Sequence, residues 1–259
     1  MKTLLAVVLC LALSVPVFSK PASAHIISSK VEHDAVGAIF MTAAGKDRRF
    51  ICSGSMIGSD SDGNGLFLTA RHCLWNSESN IFYPNEQVSF SPDESGPFYD
   101  TKVYAISQME DVAILKVVGA GKLPTEVLEV ENLKAGDAVE NVSFPLGLGK
   151  LEFHGRFVAP VFPHMPADIL EAFPEWFHSM PVDITIAPGS SGSPLFDSKT
   201  HCIIGVMVGS TGAGTLMIAE PISSVLNLVS HIAESSLEAF KKAHPDKPEP
   251  VEIGIGDDN

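Results

Sequence analysis

Basic residues are scarce in this sequence of 259 residues. It holds 17 lysines and arginines against 31 aspartates and glutamates, which gives a formal net charge of −14, and no basic run is longer than a pair. Binding to a phosphate backbone needs a positive surface, so a nucleic acid is not an expected partner. Charged residues make up only 19% of the chain and hydrophobic residues 45%. This balance excludes an intrinsically disordered chain, because enough apolar surface can be buried to offset the chain entropy.

Long hydrophobic runs of membrane-spanning length are also missing. The apolar run Leu4–Leu13 has only the length of a signal-peptide core; it follows the basic Lys2 and precedes the small-residue site Ala22-Ser23-Ala24. We therefore expect residues 1–24 to be a signal peptide that is removed on export. The mature chain would begin near His25 without a membrane anchor, in a secreted or periplasmic location.

Cysteine is the third scarce residue. Of four cysteines, Cys10 lies in the signal peptide, which leaves Cys52, Cys73 and Cys202. In an oxidising compartment the simplest arrangement is one disulfide and one free thiol, and spacing alone does not select the pair. Cys202 opens an apolar segment that predicts a buried strand, which favours an inert, packed thiol at that position.

Short segments rich in β-branched and aromatic residues dominate the chain, separated by Gly, Pro, Asn and Asp. The predicted strands are Ala35–Thr42, Phe50–Ile57, Leu66–Ala70, Gln87–Ser91, Lys102–Ser107, Val112–Val118, Ala138–Phe144, Leu151–Val161, Ser179–Ile184, Cys202–Val208 and Gly214–Ala219. Many short strands at this spacing predict antiparallel barrels or sandwiches. After Pro221, apolar residues at helical spacing predict a helix that ends before Pro245.

Three motifs contain the residue types of nucleophilic catalysis, in the order His, Asp, Ser. They are Leu68-Thr69-Ala70-Arg71-His72-Cys73, Asp111-Val112-Ala113-Ile114-Leu115 and Pro188-Gly189-Ser190-Ser191-Gly192-Ser193-Pro194. A serine hydroxyl becomes an effective nucleophile when an imidazole removes its proton, and a buried carboxylate orients that imidazole. Glycines beside the serine permit a tight turn whose N–H groups can stabilise an oxyanion.

At these motifs the sequence resembles the trypsin-like serine peptidases of the chymotrypsin fold. T-A-R-H-C is similar to the family's T-A-A-H-C, and D-V-A-I-L to its D-I-A-L-L. G-S-S-G-S-P is similar to G-D-S-G-G-P, and closer to the G-N-S-G-S-P of bacterial glutamyl endopeptidases. The segment Phe50–Ile57 resembles C-G-G-S-L-I, the strand that precedes the family's histidine. The resemblance extends from Ala35 to the helix after Pro221.

The resemblance implies an all-β fold of two antiparallel six-stranded β-barrels with a C-terminal helix. Residues 25–120 would form the first barrel, with His72 and Asp111, and residues 121–134 a connector. A second barrel with Ser191 would follow. The expected segments of this second half are 135–220 for the barrel, 221–244 for the helix and 245–259 for a flexible tail.

The resemblance also implies roles for individual residues in an exported serine endopeptidase that acts on proteins or peptides through an acyl-enzyme. His72 would be the general base, Asp111 its orienting acid and Ser191 the nucleophile. The N–H groups of Gly189 and Ser191 would form the oxyanion hole. A disulfide between the cysteines flanking the histidine turn, Cys52 and Cys73, is implied as well and would contribute roughly 3 kcal/mol.

Alternatives remain open at several of these positions. Glu110 is a rival acid beside Asp111, and the cluster Ser190–Ser193 could be an ordinary Gly/Ser loop. A catalytically silent homologue acting as a secreted binding protein is the second function. An esterase of another fold is disfavoured, because Ser193 replaces the last glycine of G-x-S-x-G. Ser190 stands where animal digestive proteases carry an Asp that pairs with a freed N-terminus, so activation by that ion pair is not expected.

Four residues form the expected substrate pocket: Thr185, Ile186, Met207 and Gly209. Thr185 stands where a trypsin carries Asp, which disfavours Arg or Lys substrates. Ile186 and Met207 stand near the Thr and His positions of a glutamyl endopeptidase, which disfavours acidic substrates. We expect a neutral, apolar residue before the scissile bond (P1).

No metal or other cofactor is expected, because the remaining histidines lack metal-ligand spacing. Apart from His25 at the expected start of the mature chain, these are His33, His154, His164, His178, His201, His231 and His244.

The segment Pro160–Phe177 is rich in proline and aromatic residues and has no family counterpart. Ala167–Phe173 predicts one or two helical turns that end at Pro174. We interpret the segment as a long connection packed on the second barrel. The alternative hypothesis is a lid or substrate-binding rim.

Overall fold

The strands of this chain close into two antiparallel barrels of six strands each. The computed structural model describes residues 33–42, 47–76, 81–130, 132–162, 167–172, 174–211 and 216–231. The two-barrel architecture that the sequence resemblance implied is therefore confirmed. The predicted signal peptide and tail lie outside the described residues.

The first barrel is formed by the strands of residues 36–117. Its strands are β1 (Val36–Thr42), β2 (Arg48–Ser59), β3 (Gly65–Thr69), β6 (Val88–Ser91), β7 (Tyr99–Ile106) and β8 (Ala113–Val117), in the order β1-β2-β3-β8-β7-β6. A separate pair, β4 (Trp75–Asn76) and β5 (Ile81–Phe82), lies between β3 and β6 in the chain.

The second barrel is formed by the strands of residues 138–221. Its strands are β9 (Ala138–Ser143), β10 (Leu151–Phe157), β11 (Met180–Asp183), β12 (Pro194–Asp197), β13 (Ile203–Ser210) and β14 (Met217–Pro221), in the order β10-β11-β14-β13-β12-β9. A short helix, α1 (Ala167–Ala172), precedes β11, and a second helix, α2, follows β14 and is described over residues 222–231. Among the described residues, no helix is both long and apolar enough to cross a membrane.

The strand β12 is the barrel strand that the sequence prediction missed. It spans only Pro194–Asp197 and begins directly after the Ser191 motif. Four residues opening on a proline show too little alternation to indicate a strand. The structure buries all four between β9 and β13.

Buried apolar side chains hold the barrels together and join them to each other. In the first barrel the rings of Phe67 and Phe90 lie 4.8 Å apart, and burial of each such side chain contributes on the order of 2 kcal/mol. The same cluster continues through Phe144 and Val206 of the second barrel and Val225 of α2. This shared core fixes the groove between the barrels, where the three sequence motifs converge.

The disulfide joins Cys52 on β2 to Cys73, with a Cα–Cα distance of 6.0 Å. This is the pair implied by the family resemblance. Cys202 is free and only partly buried, one residue before β13 begins. The prediction of a buried strand is confirmed from Ile203 onward, but Cys202 itself lies just before that strand; its partial burial raises the pKa of its thiol.

The described part of the segment Pro160–Phe177 packs on the core through Phe162 and Trp176. It contains the helix α1, as the sequence predicts, followed by a 3-10 turn over Pro174–His178. Trp176 is buried, and its ring packs so closely on Gly209 that a Cβ there would lie 2.6 Å from it. Phe177 is 62% exposed.

Candidate active site

The carboxyl group of Asp111 holds the ring and the backbone of His72. Asp111 is 2% exposed; its Oδ2 lies 2.6 Å from His72 Nδ1, and its Oδ1 accepts the His72 backbone N–H at 2.8 Å. His72 follows β3 and Asp111 precedes β8, and these strands are neighbours in register, so their ends meet. The imidazole is oriented by a buried acceptor while 42% of the side chain stays exposed. This arrangement suits a general base.

Glu110, the rival acid, has a different contact. Its carboxylate accepts a hydrogen bond from the Ser107 hydroxyl, and its own N–H donates to Ser107 Oγ at 3.1 Å. Glu110 therefore stabilises the turn before β8, whereas Asp111 contacts the imidazole.

Three serines of the third motif lie in different surroundings. Ser190 is fully buried, with its Oγ 2.9 Å from Ser143 Oγ. Ser193 is also fully buried; its hydroxyl donates to Ser190 O at 2.5 Å and accepts from Asn141 Nδ2 at 2.7 Å. Ser191 is only half-buried and lines a cavity of about 290 Å³. Of these serines, Ser191 is the one placed to meet a substrate.

The backbone beside Ser191 leaves two N–H groups available. Gly189 has φ +96°, and a Cβ on it would lie 2.5 Å from the Phe50 ring, so this position requires glycine. The carbonyl oxygen of Pro188 accepts the N–H of Leu146 at 2.7 Å, and the N–H of Gly189, trans to that carbonyl, points the other way. Within the described part of the chain, neither the N–H of Gly189 nor that of Ser191 donates a backbone hydrogen bond. Two such N–H groups beside a serine can donate hydrogen bonds to an oxyanion and so stabilise its negative charge.

Ser53, next to the disulfide on β2, joins the first barrel to this loop. Its N–H donates to Ser191 O at 2.9 Å, and its hydroxyl donates to Gly189 O and accepts the N–H of Phe144, both at 2.9 Å. The Sγ of Cys73, beside His72, lies 3.7 Å from Ser191 O. These contacts place the Ser191 loop against the turn that carries His72.

A family model described as Trypsin-like peptidase domain matches residues 52–206, which is more than half of the chain. The chain belongs to this family of trypsin-like peptidases.

Two curated relatives, from Halomonas elongata and Ectopseudomonas mendocina, are each named as a probable periplasmic serine endoprotease, DegP-like. They are 28% and 27% identical to this chain, over 72% and 61% of its length. The alignments cover only 36% and 29% of the relatives, so the chain spans about a third of their length.

Solved structures share the fold at low sequence identity. The serine endoprotease from Yersinia pestis is 18% identical with a TM-score of 0.58, covering 79% of this chain and 64% of that one. The active form of the Rv3671c protease from M. tuberculosis is 18% identical with a TM-score of 0.59, covering 77% and 81%. The HtrA-type protease AlgW with a tripeptide is 19% identical with a TM-score of 0.60, covering 79% and 62%. At this identity the likeness establishes the chymotrypsin-like fold alone.

The cavity beside Ser191 contains three of the four residues expected in the pocket. It is lined by Thr185, Ile186, Ala187, Pro188, Ser191, Gly209, Ser210 and Met217. Met207 is not among them: its side chain is fully buried in the second-barrel core, and its backbone pairs with Gly192 and Ser193. Sequence reasoning did not identify Met217 as a pocket residue. Met217 is the first residue of β14, and it lies at the cavity only because the second barrel closes.

A second cavity, of about 330 Å³, lies on another side of His72. Its lining residues are Arg71, His72, Trp75, Phe82, Ile106, Ser107 and Gln108. The rings of Trp75 and Phe82 are 4.8 Å apart, edge to face, and form an aromatic wall. Sequence reasoning missed this cavity, because these side chains come from β4, β5 and the segment before β8.

Glu220 is a fully buried carboxyl group that sequence reasoning also missed. The Ser179 hydroxyl donates to its Oε1 at 2.7 Å. Burial, together with the negative charge of Asp111, raises the pKa of Glu220 from 4.5 to about 8. The protein therefore holds a neutral carboxyl group near the Asp111–His72 pair at neutral pH.

Replacing Ser53 should impair catalysis more than folding. In Ser53→Ala the Gly189 carbonyl and the Phe144 N–H both lose their partner, so the loop that carries Ser191 is less firmly placed. We expect kcat/KM on a chromogenic peptide to fall about tenfold. Ser55→Ala is the matched control, because Ser55 is also buried on β2 but its hydroxyl donates to the neighbouring Met56 O and not to the Ser191 loop. Equal activity of both variants would contradict the prediction.

Replacing Glu220 should change how stability depends on pH. The folded protein keeps the Glu220 proton up to about pH 8, whereas the unfolded chain releases it near 4.5. Wild type thus loses stability as the pH rises through this window, and Glu220→Gln does not. The free energy of unfolding of the variant relative to wild type should rise by up to roughly 5 kcal/mol between these pH values, measured by urea denaturation. A difference that is the same at all pH values would refute the assignment.

Proposed function

We propose that this protein is an exported serine endopeptidase in which Asp111, His72 and Ser191 act as the catalytic triad. The observation that carries the proposal is the 2.6 Å contact between the buried Asp111 carboxyl and His72 Nδ1, next to the loop that presents Ser191. A carboxylate on Nδ1 keeps the proton there and leaves Nε2 free to accept one.

In the proposed reaction, Ser191 Oγ attacks the carbonyl carbon of the scissile peptide bond as His72 takes its proton. The carbonyl oxygen becomes an oxyanion that accepts hydrogen bonds from the N–H groups of Gly189 and Ser191. His72 then protonates the leaving amine, the C–N bond breaks, and an ester to Ser191 remains. Water, deprotonated by His72, cleaves this acyl-enzyme and regenerates the hydroxyl.

The cavity beside Ser191 supports a preference for an uncharged, apolar P1 residue. The described residues that line it carry no charged side chain, so neither a basic nor an acidic P1 residue would find a partner among them after losing its water. A glutamyl specificity is not favoured, since Ile186 offers only an apolar side chain. A volume of about 290 Å³ suits aliphatic side chains.

Three observations support export. The first 24 residues have the pattern of a signal peptide. The Cys52–Cys73 disulfide is of the kind that forms in an oxidising compartment. The curated relatives are named as periplasmic proteases.

The test is covalent labelling with a fluorophosphonate, which reacts with activated serines. Wild type, Ser191→Ala and His72→Ala would be incubated with the reagent and their intact masses measured. We expect one adduct on wild type and none on either variant. Ser193→Ala is the control for the serine assignment and should still be labelled. Absence of an adduct on folded, disulfide-bonded wild type would overturn the proposal and favour the silent binding protein.

Shortening Met217 should shift the P1 preference toward larger side chains. Met217 lines the cavity from β14, so Met217→Ala would make room for a larger side chain. We expect the ratio of kcat/KM for phenylalanine over valine at P1 to rise about tenfold. Met180→Ala, in the core of the same barrel but away from the cavity, controls for general loosening. An unchanged ratio would show that Met217 does not limit the pocket.

A further inference from the structure

A group of histidines and glutamates meets on the second barrel, outside the proposed active site. Glu140 lies on β9, where the register pairs it with His154 on β10 and with Phe196 on β12. His201 comes from the turn between β12 and β13, and His33 from the segment before β1. Because these side chains come from separate parts of the chain, sequence spacing carries no sign of the cluster.

Three of these residues have the spacing of a metal-binding set. The donor atoms of His33, Glu140 and His201 all lie within 4.8 Å of one another, with His201 Nδ1 3.6 Å from Glu140 Oε2. Ligands of a tetrahedral zinc ion, each about 2.0 Å from the metal, stand roughly 3.3 Å apart. Small side-chain rotations would therefore bring the three donor atoms within bonding distance of one ion, and a water molecule could take the fourth position.

The imidazole of His33 is oriented by a ring stack and a carboxylate, as is common for histidines that bind metals. Its ring stacks on Phe196 with centroids 4.2 Å apart, and its Nδ1 lies 3.2 Å from Glu126 Oε1. A carboxylate on Nδ1 favours the tautomer whose Nε2 is basic, which is the usual outer partner of a zinc-bound histidine. The side chains of His33 and Glu140 are only 12% and 13% exposed, whereas that of His201 is 62% exposed, so binding would mainly have to order His201.

The local charge favours a cation. Glu126, Glu140 and Glu152 supply three carboxylates around the cluster, with His154 Nε2 3.2 Å from Glu152 Oε1. Lys150, whose ammonium donates to the carbonyl oxygen of His33 at 3.1 Å, offsets one of these charges. With neutral imidazoles the surroundings are net negative, which attracts a divalent ion.

We propose that His33, Glu140 and His201 bind one divalent cation of the zinc class, separately from the catalytic residues. Two imidazoles and one carboxylate favour zinc over calcium or magnesium, which take oxygen ligands. The ion would link the segment before β1 and the β12–β13 turn to β9. Held by three protein ligands with one position open, it would tie the start of the first barrel to the second barrel.

The experiment is titration of the metal-free full chain with Zn²⁺, followed by calorimetry and by competition with a chromophoric chelator. We expect one ion per chain and a rise in Tm of about 5 °C at saturation. Three variants remove one ligand each and keep the local structure. His33→Phe preserves the ring stack on Phe196, and Glu140→Gln keeps the side-chain shape. His201→Asn is chosen because asparagine tolerates the φ of +55° at this position. Each should weaken binding at least about tenfold.

Two controls separate this site from other histidines. His72→Ala removes the catalytic imidazole, and His178→Ala removes an exposed imidazole outside the cluster; both should bind zinc as wild type does. Binding that persists in His33→Phe and His201→Asn, or that disappears in His72→Ala, would overturn the proposal. So would the absence of binding at about a hundred micromolar zinc.

Discussion

The hydrogen bond from Ser53 N–H to Ser191 O connects the two barrels at the point where the proposed catalytic residues His72 and Ser191 must meet. His72 and Asp111 belong to the first barrel and Ser191 to the second, so their alignment depends on how the barrels are joined. Ser53 makes this connection with backbone and side chain together, and it lies beside Cys52, whose disulfide holds the His72 turn. A shift at this one residue would move the serine loop and the histidine turn relative to each other.

Two buried carboxyl groups near the site have opposite surroundings. Asp111 faces an imidazole and a backbone N–H, so its charge is compensated. Glu220 receives one hydroxyl hydrogen bond from Ser179, and burial raises its pKa to about 8. Because Glu220 is neutral at neutral pH, it adds no second negative charge beside the pair. The same functional group, a carboxyl, thus has different surroundings in two places, according to the donors near it.

The cluster around Glu140 has a different relation to the fold. Its members take no part in the proposed reaction, yet they join the segment before β1 to the second barrel through His33 and its ring stack on Phe196. An ion in the cluster would join the two barrels at His33, in addition to the shared apolar core and the hydrogen bonds of Ser53.

The amino-acid sequence by itself determined eleven of the twelve barrel strands, the order of the three motifs and the need for glycine at Gly189, because alternation, turn chemistry and local sterics are properties of neighbouring residues. It did not reveal β12, which is a strand only because β9 and β13 flank it. Only the tertiary structure decided that Ser191 faces the cavity while Ser193 is buried, that Asp111 contacts His72 while Glu110 caps a turn, and that Met217 lines the pocket. These choices rest on distances between residues far apart in the chain, which are set by barrel register and by the packing of one barrel on the other.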